Sequence, residues 1–69
     1  MKTEEIQGLQ KQIEKLETEL KELTAGMKEE LNKEEINFEQ VRKLANEADL
    51  TSYHISLQKK YLETLKEEA

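Results

Sequence analysis

Between Ile6 and Met27 the chain reads IQGLQKQIEKLETELKELTAGM. Its large apolar residues are Ile6, Leu9, Ile13, Leu16, Leu20, Leu23 and Met27, spaced alternately three and four apart. That is the a/d pattern of an amphipathic helix carried through about three heptads. Ile takes two of the a positions and Leu every d position, a choice that favours two-stranded packing. All other residues in the stretch are Glu, Lys, Gln, Thr, Gly or Ala. The pattern predicts a helix from about Thr3 to about Leu31, roughly 40 Å long at 1.5 Å per residue. Gly8 falls on its outer face, where it weakens the helix but blocks no packing.

The flanks of this seam are acidic or neutral. Its e and g positions hold Glu5, Gln10, Gln12, Glu17 and Glu19, while Lys11, Lys15 and Lys21 fall outside. A parallel self-zipper would set Glu and Gln against Glu and Gln, without the attractive flank pairs that specify such a dimer. The seam suits a partner helix with basic flanks, which Arg42 and Lys43 supply if the chain folds back.

Continuing the same register would put Glu30, Glu34 and Asn37 in the seam, so the pattern ends there. Asn32 followed three residues later by Glu35 reads as a helix N-cap in a capping box, with Leu31 and Ile36 placed for a hydrophobic staple. A turn near residues 28–33 follows, with Gly26 a competing end for the first helix. Beyond it Val41, Leu44, Ala48, Ile55, Leu62 and Leu65 resume an a/d seam, with Thr51 and Gln58 its polar exceptions. A second stripe, Leu50, Tyr53, Leu57 and Tyr61, widens the apolar face and is the candidate surface for a further helix or partner. Two readings stand for this half. One is a single helix from about Lys33 to Glu67. The other breaks at residues 49–51, with Thr51 as N-cap and Leu50 and Ile55 as staple.

Composition narrows the function. The chain has 69 residues, no Cys, no Pro and no Trp, and 39% of it is charged. That is one small domain of long-helix composition. Without Cys there is no disulfide framework and no thiolate metal site. No apolar run is long enough to cross a membrane, and the N-terminus does not read as a secretory peptide. The expected setting is the cytoplasm. His54 is the only imidazole, and Ser52 and Ser56 lie two residues to either side of it, turned away on a helix. They make no nucleophile–base pair, and no Gly-rich loop exists to cradle phosphate. Glu29, Glu30, Glu34 and Glu35 read as a solvated face and a capping turn rather than an ion site. No enzyme activity, no metal and no cofactor is expected.

Residues 44–56 resemble the helix-turn-helix of bacterial and phage repressors through Leu44, Ala45, Ala48, Leu50, Thr51 and Ile55. The resemblance implies a recognition helix presenting Ser52, Tyr53, His54, Ser56, Lys59 and Lys60 to a major groove. Asp49 stands where the motif has Gly, and Gln58 where it buries an apolar residue. Residues 1–39 hold six Lys against eleven Glu, whereas residues 40–69 balance five against five. The net charge of −5 disfavours a nucleic-acid partner.

The sequence therefore predicts an all-α chain: a helical hairpin or three-helix unit with heptad packing. A chain this short, with neither disulfide nor metal, is expected to complete its core by self-association, as a dimer or higher homo-oligomer. The predicted work is protein–protein interaction, as an adaptor, assembly factor, chaperone or inhibitor. A dimeric helix-turn-helix regulator with an N-terminal zipper is the alternative.

Overall fold

The computed structural model describes residues 2–68 and contains two helices. Helix α1 runs over Lys2–Leu31 and α2 over Phe38–Glu68, joined by residues 32–37. The fold is an all-α helical hairpin, and the described residues form no third helix. Glu4 and Glu5 in the first turn of α1 and Lys28 in its last complement the helix dipole. Glu39 and Lys66 do the same for α2.

The helices are antiparallel along their whole length. Lys2 Nζ donates to the Glu68 carbonyl at 3.2 Å and lies 3.6 Å from its carboxylate. Lys59 Nζ lies 3.4 Å from Glu17 Oε2. Near the loop, a Cβ placed on Gly26 would lie 3.5 Å from Leu44 Cδ1. The result is a rod of 53 × 14 × 12 Å with a radius of gyration of 15.8 Å, where a compact chain of this length would have about 11 Å.

The core is a single line between the two helices. Its buried apolar residues are Ile13, Ala48, Ile55 and Leu65, all of them seam positions. Ile6, Leu9, Leu16, Leu20, Leu23, Met27, Val41, Leu44 and Leu62 are half-buried. Among the described residues no large side chain is fully enclosed, because two helices alone cover each other on one side only.

The turn falls later than the sequence pattern suggested, at 32–37 rather than 28–33. Helix α1 continues through Gly26, whose φ is not positive, and ends at Leu31. The Asn32 N–H closes it on the Lys28 and Glu29 carbonyls at 3.2 and 3.3 Å, and the Lys33 N–H bonds the Glu30 carbonyl at 3.3 Å. Asn32 therefore ends α1 instead of capping α2, and no Asn32/Glu35 capping box forms. The cap is Asn37: its Oδ1 accepts the Gln40 N–H at 3.2 Å, and its carbonyl accepts the Val41 N–H at 3.1 Å. Ile36 and Val41, both half-buried, take the staple positions around it. So α2 begins at Phe38, five residues beyond Lys33.

No break occurs at 49–51. Asp49, Leu50 and Thr51 are helical, and no described non-Gly residue has a positive φ. Packing explains this. Ala48 and Ile55 are both buried against α1, Thr51 between them is half-buried, and an unbroken helix keeps all three on the line.

Candidate interaction surface

The sequence seam lies between the two helices of one chain. Its members face each other in cis, and nine of them are half-buried. Besides half-buried Thr51, two polar groups lie along it. Gln58 is half-buried, and its Oε1 has no hydrogen-bond partner among the described residues. Glu30 takes the last seam position of α1, is 9% exposed, and locks the loop.

The loop lock is built from three residues. Glu30 Oε2 accepts a hydrogen bond from Lys33 Nζ at 2.9 Å. Glu30 Oε1 accepts the Asn37 N–H at 3.2 Å, the donor that a capping-box side chain would otherwise satisfy. The Lys33 hydrogen bond and, after it, the Asn37 N–H hold the Glu30 carboxyl below the usual carboxylate range. The same hydrogen bond raises Lys33. Both groups are structural: they aim the chain from the end of α1 into the cap of α2.

The second stripe stands in solvent. Leu50 is 56% exposed, Tyr53 60%, Leu57 46% and Tyr61 55%. They occupy one flank of α2, away from the seam. Beside Leu50 the hairpin leaves a groove with Leu23, Leu44 and Thr51 in its lining and with Glu19, Glu22 and Glu47 around it. This surface can take apolar side chains in the groove and along the stripe, with hydroxyls of Tyr53 and Tyr61 free for hydrogen bonds, and it favours cations at the groove edge. The Tyr53 and His54 rings lie 6.3 Å apart at 45°, within the range of a favourable aromatic pair.

Ser52, Tyr53, His54, Ser56, Lys59 and Lys60 are all exposed, but on one uninterrupted helix and not on a helix after a turn. At 100° per residue Ser52, Tyr53, Ser56, Lys59 and Lys60 share one arc of about 120°, and His54 falls outside it. Lys59 flanks the seam on the Glu17 side, while His54 lies on the opposite flank by its helical spacing. Arg42 and Lys43 form no ion pair among the described residues, so the basic flank for α1 comes from Lys59. No group of three or more His, Cys, Asp or Glu among the described residues is arranged to hold a metal. No helix there is long and apolar enough to cross a membrane.

The sequence pattern gave Phe38 no place, and Leu31 only a staple role that does not form; they are 67% and 49% exposed at the loop end. Phe38 fits neither the seam nor the stripe, and the place of α2's first residue followed only from finding the cap. Glu30 was also passed over as a solvated residue, because its acceptor role depends on where Asn37 lies.

No protein-family model, no curated protein and no solved structure matches the chain.

Proposed function

We propose that the chain is a small, non-enzymatic protein–protein interaction module, acting in the cytoplasm as a homo-oligomer. The observation that carries this reading is the stripe Leu50, Tyr53, Leu57 and Tyr61, four large side chains left in solvent on one flank of α2. Scattered exposed apolar residues need no explanation, but four at helical spacing on one face form a patch of the size that is often functional. The seam supports the reading from the other side. It closes the hairpin internally and so gives the rod rigidity, which an adaptor, assembly factor, chaperone or inhibitor needs to present a helix face. The continuous α2 and the net charge of −5 weigh against the regulator alternative.

The test is affinity capture with the tagged chain from source lysate, with and without nuclease. Capture should survive nuclease and Lys11→Glu/Lys15→Glu, and be lost with Leu50→Glu/Leu57→Glu while helix content is retained. Capture that disappears with nuclease and with Lys59→Ala/Lys60→Ala would overturn the reading in favour of DNA.

A further inference from the structure

We propose that the stripe on α2 is covered by the same stripe of a second copy. The two α2 helices pack antiparallel across a twofold axis level with Ile55 and Ser56, giving a four-helix dimer. This deepens the reading above and rests on it: the stripe is the docking surface, and its occupant is this chain.

Three observations select a second copy. The first is spacing. Turned end for end about the level of residues 55 and 56, the stripe maps onto itself within one residue, or about 1.5 Å. Leu50 meets Tyr61 of the second copy, and Tyr53 meets its Leu57. Every Tyr falls against a Leu, twice over, as an isologous contact requires.

The second is charge. The groove beside Leu50 has Leu23 and Leu44 in its lining and Glu19, Glu22 and Glu47 around it. The twofold brings Tyr61 of the second copy to this groove and its Lys60 to the other flank of the stripe, within two residues of the level of Asp49. The ring suits the apolar lining of the groove, and the Lys60 ammonium suits the Asp49 carboxylate of the facing flank. Lys60 has no ion pair within its own chain among the described residues.

The third is area. The hairpin exposes 5625 Å², where a compact monomer of 8.1 kDa would expose about 4,500 Å². Taking about 200 Å² for a Tyr side chain and somewhat less for Leu, the exposed fractions of the stripe come to roughly 400 Å² on each copy. The two stripes together bury about 800 Å², and the groove edges bring the total towards the lower limit of about 1,200 Å² for a standard interface. An interface of this size belongs with weak, reversible associations.

Sedimentation equilibrium of the intact chain over a range of micromolar concentrations is the first arm. A reversible monomer–dimer equilibrium is expected, with Leu57→Glu raising Kd about 100-fold or more, since the change acts twice across the axis. Circular dichroism of the variant checks that the hairpin persists. The second arm uses the absence of Cys. Oxidising a mixture of the Leu50→Cys and Tyr61→Cys single variants should yield a disulfide dimer joining position 50 of one copy to position 61 of the other. Each variant oxidised alone should cross-link far more slowly, because its two copies lie about 16 Å apart along the helices. Rapid cross-linking of either variant alone, without the mixed product, would overturn the antiparallel arrangement. A chain that stays monomeric throughout would overturn the second copy as occupant. If stripe-dependent capture of another protein persists in that case, the interaction-module reading stands while this proposal falls.

Discussion

Truncating Ile55 to Ala separates the hairpin core from the stripe next to it. Ile55 is 7% exposed and lies between the helices, whereas Leu57, two residues on, is 46% exposed. Large-to-small changes in protein cores cost about 2–5 kcal/mol, the higher values arising where a rigid cavity is left. Here the core is one line deep and no large side chain among the described residues is fully enclosed, so neighbours close in and water reaches the gap. Ile55→Ala should therefore cost about 2 kcal/mol, at the low end. Leu57→Ala removes a side chain that the hairpin covers only in part and should cost under about 1 kcal/mol. A single core of this size supplies no more than about 3–5 kcal/mol in all, so Ile55→Ala leaves a marginal fold and Ile55→Val, at about 1 kcal/mol, is the graded control. Urea unfolding followed by circular dichroism, at a concentration low enough to suppress association, reads this directly. With a slope near 1 kcal/mol/M, Ile55→Ala should lower the midpoint by about 2 M and leave the slope unchanged. If Leu57→Ala lowers the midpoint as much as Ile55→Ala, α2 packs on α1 through a different face and the reasoning fails.

Asn37→Ala should cost about 1 kcal/mol through loss of the α2 cap, while Asn32→Ala should cost a few tenths at most; equal losses in urea unfolding would return the cap to Asn32. Gln58→Leu replaces a half-buried amide whose oxygen has no partner and should stabilise the hairpin by about 1 kcal/mol; a lower midpoint would show that Gln58 is satisfied in solution. Glu30 has a lowered folded pKa, so its contribution is present well above the unfolded carboxyl value and is lost as pH falls through the folded one. Glu30→Gln should accordingly flatten part of the acid-side fall in stability, and an acid limb identical to wild type would contradict the loop lock. Lys33 titrates with the opposite sign: its raised pKa stabilises below the unfolded Lys value and is lost as pH rises through the folded one.

The heptad run from Ile6 to Met27 made α1 legible, because its period is uninterrupted and its other positions are polar or small. The seam from Val41 to Leu65 identified the face of α2 in the same way, and the four buried apolar residues all belong to these two patterns. The loop was less legible. Asn32 and Asn37 are equally good caps by residue type, and the choice depends on the last turn of α1 taking the Asn32 N–H for itself. Local cap chemistry at Thr51 also suggested a break that the long-range contact of Ala48 and Ile55 with α1 overrides. For the candidate site, the stripe was visible as a second apolar period. Its exposure was not, because periodicity cannot say whether a third helix covers it.

If the seam closes in cis, the stripe on α2 is what remains for a partner. A distance between spin labels at Thr18→Cys and Ser52→Cys tests it most directly, since both positions are exposed and lie level with each other in the antiparallel register. Doubly labelled chain is diluted into an excess of unlabelled chain, so that only pairs within one molecule are read. The hairpin predicts a distance of about 10–20 Å, one interhelix separation plus the label arms. A distance near 50 Å, the span of 34 residues of one continuous helix at 1.5 Å each, would show that the seam is closed by another chain and would contradict the account.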